Sequence, residues 1–177
     1  IKLQGITLYR KIVKLSGHLI EIKEADDEDM RKVYKWQHSG EENSYPPAPN
    51  TTNFVAKIGK KIIGFVQLIR FSECNSLYSG YWLFTLSTEV YYRGMGIGEK
   101  LSRKVIEKAI DEGAGELSLV VFDNNYKAIK LYQKLGFIQK IIPALEEELE
   151  KDRLSCNGQR RILMIKELHN NSRIQKK

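Results

Sequence analysis

The sequence is poor in cysteine, histidine and proline, and each shortage removes a class of protein. Two cysteines, Cys74 and Cys156, stand far apart and outside any CxxC pattern. Neither a disulfide framework nor a cysteine zinc site fits that spacing, and the expectation is two reduced thiols in a cytoplasmic protein. The three histidines, His18, His38 and His169, fall in unrelated segments without metal-ligand spacing, so no metal is expected. No apolar run reaches the roughly 20 residues of a membrane helix, and the first residues lack a signal-peptide layout. The chain begins at Ile1 rather than Met, which leaves open trimming, processing or excision from a longer chain.

What is present is one domain's worth of chain with a basic balance. At 177 residues with 42% hydrophobic content there is material for a single substantial core. Lys and Arg number 29 against 22 Asp and Glu, a formal charge of +7 spread along the chain rather than gathered in one run. Such a balance favours an anionic partner, whether nucleic acid, membrane surface or phosphorylated cofactor, without choosing among them.

Periodicity gives the elements. Residues 6–15 have strand composition and precede a Ser16-Gly17 turn, and His18–Ala25 alternates like a half-buried strand. Asp26 and Asp27 offer an N-cap to a helix whose Met30, Val33, Tyr34 and Gln37 share a face, ending near Ser39 and Gly40. Glu41–Asn53 holds three of the four prolines and reads as a long loop. Strands follow over Phe54–Ile58, Ile62–Phe71 and Tyr81–Val90, in immediate succession as an antiparallel meander requires. A helix over Gly98–Glu112 stacks Ile97, Leu101, Val105 and Ala109 at spacing four, and Leu117–Phe122 reads as a central strand covered on both faces. Asp123 and Asn124 are the expected cap of a helix bearing Ala128, Leu131, Tyr132 and Leu135, stopped by Gly136. A strand over Phe137–Ile142, an acidic loop or short helix over Pro143–Asp152, a last strand over Arg160–Leu168 and a disordered basic tail from His169 complete the chain. The order implies an α/β architecture with a mixed sheet.

Between the third of the meander strands and the helix lies YYRGMGIGEKLSRK, residues 91–104, with Gly94, Gly96 and Gly98 at alternate positions. Backbone without side chains, running into a helix N-terminus, presents N–H groups backed by the positive end of the helix dipole, which is an anion site. The Rossmann spacing fails because Glu99 stands where the third glycine belongs. The P-loop fails because Glu99 and Leu101 break the required Gly-Lys-Ser/Thr.

Written as Arg93-x-x-Gly96-x-Gly98, the loop resembles the coenzyme A pyrophosphate loop of the GCN5-related N-acetyltransferase (GNAT) family. A second block, Asn125-x-x-Ala128 with Leu131, Tyr132, Gly136 and Phe137, is similar to that family's other recurring motif at its usual distance. The resemblance spans about 18–168, leaving 1–17 as an N-terminal extension and 169–177 as a tail. It implies an α/β fold with a mixed, mostly antiparallel central sheet and helices on both faces. It also implies acetyl-CoA as co-substrate, with backbone of Leu86, Ser87 and Thr88 along the pantetheine arm. A backbone N–H near Leu86 would polarise the thioester carbonyl. Arg93, Gly94, Met95, Gly96, Ile97, Gly98 and Glu99 would cradle the pyrophosphate, and Asn125 would touch the arm from the other side. Tyr132 matches the general acid that protonates the departing thiolate, since a phenol of pKa near 10 and a thiol near 8.5 are suited to that exchange. Among Lys100, Arg103, Lys104 and Lys130, one or two would meet the 3′-phosphate of the coenzyme.

The departures concern the acceptor end. Where the family often places a carboxylate base this chain has Trp82 and Val120, so the base stays unassigned among Glu73, Glu89, Asp123 and a water chain. Arg160 and Arg161 stand where an acidic residue tends to precede Met164. The acceptor would lie beneath the loop Glu41–Asn53, the helix before it and the acidic segment Glu146–Glu150, whose carboxylates hint at a cationic acceptor, though a charge run is commonly a solvated face. The expected activity is transfer of acetyl from acetyl-CoA to a primary amine, on a small molecule or a peptide, by a monomer or homodimer without nucleic acid or membrane. Two rivals stand beside it: a catalytically idle coenzyme A-binding module, and a binder of anionic surfaces or nucleic acid.

Overall fold

In a computed structural model the chain is described over residues 20–37, 49–72, 76–153 and 157–169. The strand expected over 6–15, the basic tail, most of the proline-bearing loop, and Glu73, Cys74 and Cys156 lie outside the described residues. Strands β1 (Ile20–Glu24), β2 (Thr51–Ile58), β3 (Lys61–Phe71), β4 (Gly80–Thr88), β5 (Glu116–Phe122), β6 (Ile138–Lys140) and β7 (Arg161–Glu167) form one sheet in the order β1-β2-β3-β4-β5-β7-β6. The sheet is mixed and mostly antiparallel: β1 with β2, β5 with β7 and β6 with β7 are antiparallel, while β4 and β5 are parallel through Tyr81↔Leu117 and Trp82↔Ser118. The helices among the described residues are α1 (Asp27–Gln37), α2 (Ile97–Asp111), α3 (Tyr126–Lys134) and α4 (Pro143–Lys151).

Two compact units divide the chain. The first comprises 1–67 and 85–105, the second 68–84 and 106–177. In the first, Asp26 starts α1 by accepting from the Asp29 N–H at 2.8 Å, and Val33 packs onto Val55 and Phe65. The neighbouring residue of β3, Gly64, faces the other way: a Cβ there would come within 2.9 Å of Ile97 and Leu101 of α2. Because successive strand residues alternate sides, α1 and α2 cover opposite faces of the sheet. Asp29 is buried on α1 between two ammonium groups, Lys23 at 2.7 Å and Lys57 at 2.6 Å. Burial pushes its carboxyl upward, but the hydrogen bonds from Lys23 and Lys57 outweigh that and hold it below the usual carboxylate range.

In the second unit, Leu145 and Leu149 of α4 pack on Trp82, Leu163 and Ile165, with Phe71, Tyr78, Phe84 and Val120 at the edge of the cluster. Leu117, Leu119 and Val121 of β5 are buried together with Ser118, as a strand covered on both faces should be.

Several boundaries differ from the sequence expectation. Thr51–Asn53 are strand rather than loop, because they pair onward from β2 instead of following local composition. β4 ends at Thr88, and Val90–Tyr92 form a 3-10 turn that the β-rich composition hid. Only Ile138–Lys140 of the stretch expected over Phe137–Ile142 are strand, since Phe137 turns into the core at 1% exposure. The acidic stretch is a helix with Pro143 in its first turn, where a missing N–H costs nothing.

Candidate active site

The glycine loop belongs to the first unit and is anchored at both ends. Upstream, the Glu89 N–H donates to the Ile63 carbonyl at 2.9 Å, and Lys61 sits 2.9 Å from the Glu89 carboxylate and 5.2 Å above the buried Tyr92 ring. Downstream, Ile97 is 1% exposed at the start of α2, packed over Gly64. Between these anchors Gly94 and Gly96 take φ of +80° and +78°, a left-handed backbone that L side chains adopt only under strain. A Cβ built on either would meet nothing within 4 Å, so the backbone faces open space. Gly98 lies inside the first turn of α2, where the N–H groups have no intrahelical partner. The residues therefore fit a diphosphate: two exposed left-handed glycines followed by the N-terminus of a 15-residue helix.

Flanking charges qualify the cradle. Arg93 donates through Nε to the Thr88 carbonyl at 3.1 Å, which ties it back to the end of β4. Glu99 is paired with Arg103 one turn later at 2.8 Å, so its negative charge is offset beside the expected phosphates. Lys100 and Lys104 are exposed on the same helix.

β4 carries a feature that sequence reasoning missed. Thr85 has φ of +53°, rare for a β-branched residue and costing about 1–3 kcal/mol. It immediately precedes the half-buried run Leu86, Ser87 and Thr88. Its hydroxyl donates to Gln67 Oε1 at 2.9 Å, and Gln67 Nε2 donates to Asn53 Oδ1 at 3.1 Å. The one available signal was Gln67 itself, a polar residue midway along the otherwise apolar strand IIGFVQLI.

The second motif belongs to the second unit. The N-cap of α3 is Asn125, whose Oδ1 accepts from the Ala128 N–H at 3.2 Å, rather than Asp123 or Asn124. The Asn125 N–H returns to the Phe122 carbonyl at 3.0 Å, closing the turn that leads into α3. Tyr132 is 6% exposed, its ring edge-on to Phe137 with centroids 5.7 Å apart. Burial pushes its phenol up to about 12, so the match to a thiol near 8.5 expected from the ordinary phenol value does not hold.

Trp82 and Val120, at the places where a base was sought, belong to the apolar cluster under α4. Glu89 is engaged by Lys61, and Asp123 is partly buried. Three cations pair with the four carboxylates of α4: Arg160 with Glu146, Lys151 shared by Glu147 and Glu148, and Arg153 with Glu150. That face is a solvated ion-pair surface, and Arg161 is likewise taken up by Asp152 at 2.9 Å. No His/Cys/Asp/Glu grouping suited to a metal occurs among the described residues, and none of their helices is long and apolar enough to cross a membrane.

The sequence profile described as the Acetyltransferase (GNAT) family matches residues 19–137. N-acetyltransferase family 8 member 2 of Rattus norvegicus is 30% identical over 125 residues, 71% of this chain and 50% of that protein. Thialysine N-epsilon-acetyltransferase of Sus scrofa is 51% identical over 45 residues, 25% of this chain and 26% of that protein. The chain thus spans at most about half the length of these curated relatives. Among solved structures, the ribosomal-protein-S18-alanine N-acetyltransferase of Escherichia coli superimposes with TM-score 0.63 over 89% of this chain and 99% of that one, at 17% identity. A Bacillus anthracis structure in complex with acetyl coenzyme A matches with TM-score 0.56 over 73% of this chain and 70% of that one, at 21% identity.

Proposed function

Because the chain belongs to the Acetyltransferase (GNAT) family, we propose that it moves the acetyl group of acetyl-CoA to a primary amine by direct attack of the neutral amine on the thioester. The observation that carries this reading is the pair of left-handed, open-faced glycines, Gly94 and Gly96, leading into α2. The names of the relatives, an N-epsilon-acetyltransferase among them, support an amine acceptor, and the acetyl coenzyme A bound to one structural neighbour supports the donor. A cytoplasmic setting is part of the same reading and rests on the cysteine spacing.

Each residue has a role in it. N–H groups from Gly94 to Glu99 hold the pyrophosphate, and the backbone of Leu86, Ser87 and Thr88 aligns the pantetheine arm. The Leu86 N–H polarises the thioester carbonyl as negative charge develops on its oxygen. Asn125 already gives Oδ1 to its helix cap, so a contact to the arm falls to Nδ2. Tyr132 stabilises the departing thiolate. A phenol near 12 facing a thiol near 8.5 makes complete proton transfer uphill by about 5 kcal/mol, so it acts as a hydrogen-bond donor that stays protonated. With Trp82 and Val120 in the apolar cluster and Glu89 held by Lys61, the ammonium proton of the acceptor leaves through a water chain or through Glu73 or Asp123.

The test is a thermal-shift titration with acetyl-CoA followed by a thiol-release screen over amines. A melting temperature that rises with coenzyme up to about 1 mM, together with amine-dependent thiol release, is the expected result. Coenzyme binding without turnover would leave the idle module instead, and absence of any shift would contradict the reading at its root.

A further inference from the structure

We infer that Gln67 is a positioning residue for acetyl transfer, acting through Thr85 on the backbone that polarises the thioester. The inference rests on the proposed function and concerns residues of the first unit alone. Gln67 is 9% exposed at the centre of β3, where a polar side chain must find partners. Among its partners are two side chains: Oε1 takes the Thr85 hydroxyl at 2.9 Å, and Nε2 reaches Asn53 Oδ1 at 3.1 Å. Asn53 is itself fixed, because its carbonyl accepts the Ala25 N–H at 2.8 Å. The three side chains make a cross-strand clasp over β2, β3 and β4, with Thr85 at its end.

Thr85 is the residue that needs a clasp. Its side chain is exposed, so side-chain packing contributes little to holding its φ of +53°. Without the bond to Gln67, the backbone would relax toward the extended region that threonine prefers. That relaxation would rotate the peptide joining Thr85 to Leu86, and the N–H of that peptide is the proposed donor to the thioester oxygen. A donor aimed about 1 Å wrong loses its preference for the developing oxyanion over the ground-state carbonyl. The glycine loop has its own anchors at Tyr92 and Ile97, so coenzyme affinity is carried separately.

The experiment compares wild type, Gln67→Leu, and Gln67→Leu combined with Thr85→Gly. Gln67→Leu is expected to lower kcat roughly 10- to 100-fold while the coenzyme Kd changes by no more than about twofold. Glycine adopts positive φ without strain, so Thr85→Gly in that background is expected to recover most of the lost kcat. A residue that only stabilised the fold would lose melting temperature and coenzyme affinity together and would not be rescued this way. The HN–Hα coupling of Thr85 in isotope-labelled protein, which needs no turnover, is expected to move from its left-handed value in Gln67→Leu. Should Gln67→Leu be insoluble, Thr85→Val removes the exposed hydroxyl alone and carries the same expectation. Unchanged kcat, or an unchanged Thr85 coupling, with an active wild type overturns the inference and leaves the proposed function standing. A wild type that neither binds nor turns over acetyl-CoA overturns both.

Discussion

Burial sets the character of Tyr132 more than its place in a motif does. A phenol lifted to about 12 keeps its proton across the range in which the enzyme would be assayed. Activity as a function of pH should therefore show no downward limb from Tyr132 below about pH 10, whereas an ordinary tyrosine would begin to lose its proton there. The sign for stability follows from the same shift. The unfolded phenol ionises near 10 and the folded one near 12, so its protonated contribution is complete below pH 10 and lost as pH rises through that window. Tyr132→Phe should lower kcat roughly 100-fold with coenzyme affinity nearly unchanged, read by steady-state kinetics and calorimetry. At this scale the sequence showed which residues to examine but not their states. Gly94, Gly96 and Asn125 stood out by spacing, while Thr85 did not, because a positive φ at a threonine inside a strand leaves no mark on local composition.

Among the elements, β3 and α2 approach so closely that Gly64 is required. A Cβ there would lie 2.9 Å from the branched methyl of Ile97 and from a Leu101 methyl, and 3.3 Å from the Ser87 carbonyl. Gly64→Val is expected to destabilise by about 1–3 kcal/mol and to weaken coenzyme binding as well, since it displaces the start of α2; thermal melts with and without acetyl-CoA check both. The clasp of Asp29 by Lys23 and Lys57 makes a second test. Asp29→Ala leaves Lys57, only 14% exposed, without its carboxylate and should cost about 3 kcal/mol. The folded Asp29 carboxyl titrates below its ordinary value, so its contribution is present above about pH 4 and should fade as pH drops further, measured as the loss of stability in acid. Helices and central strands were legible because α2 buries Ile97, Leu101, Val105 and Ala109 at the spacing that marks a helix, and β5 is apolar along most of its length, with Leu117, Leu119 and Val121 buried. The ends were not: Thr51–Asn53 look like loop and join β2 by cross-strand pairing, and Val90 looks like strand and begins a 3-10 turn.

For the whole molecule, the net charge of +7 and the family both agree with the proposed use of an anionic coenzyme. The acidic helix α4, with its carboxylates already paired to Arg160, Lys151 and Arg153, gives no reason to expect a cationic acceptor held by charge. Acceptor preference should therefore depend only weakly on ionic strength, whereas coenzyme KM should rise with added salt. The acceptor was not legible in the sequence for a physical reason: the role proposed for the glycine loop is confined to the coenzyme, and much of the segment expected over the acceptor lies outside the described residues. The most direct measurement is mass-spectrometric detection of product when the purified chain, acetyl-CoA and a panel of primary amines are incubated together, with thiol release followed in parallel. The expected result is an amine carrying one added acetyl group in step with thiol release, diminished in Tyr132→Phe. Thiol release without an acetylated amine, or no product across the panel from a chain that binds the coenzyme, would contradict it.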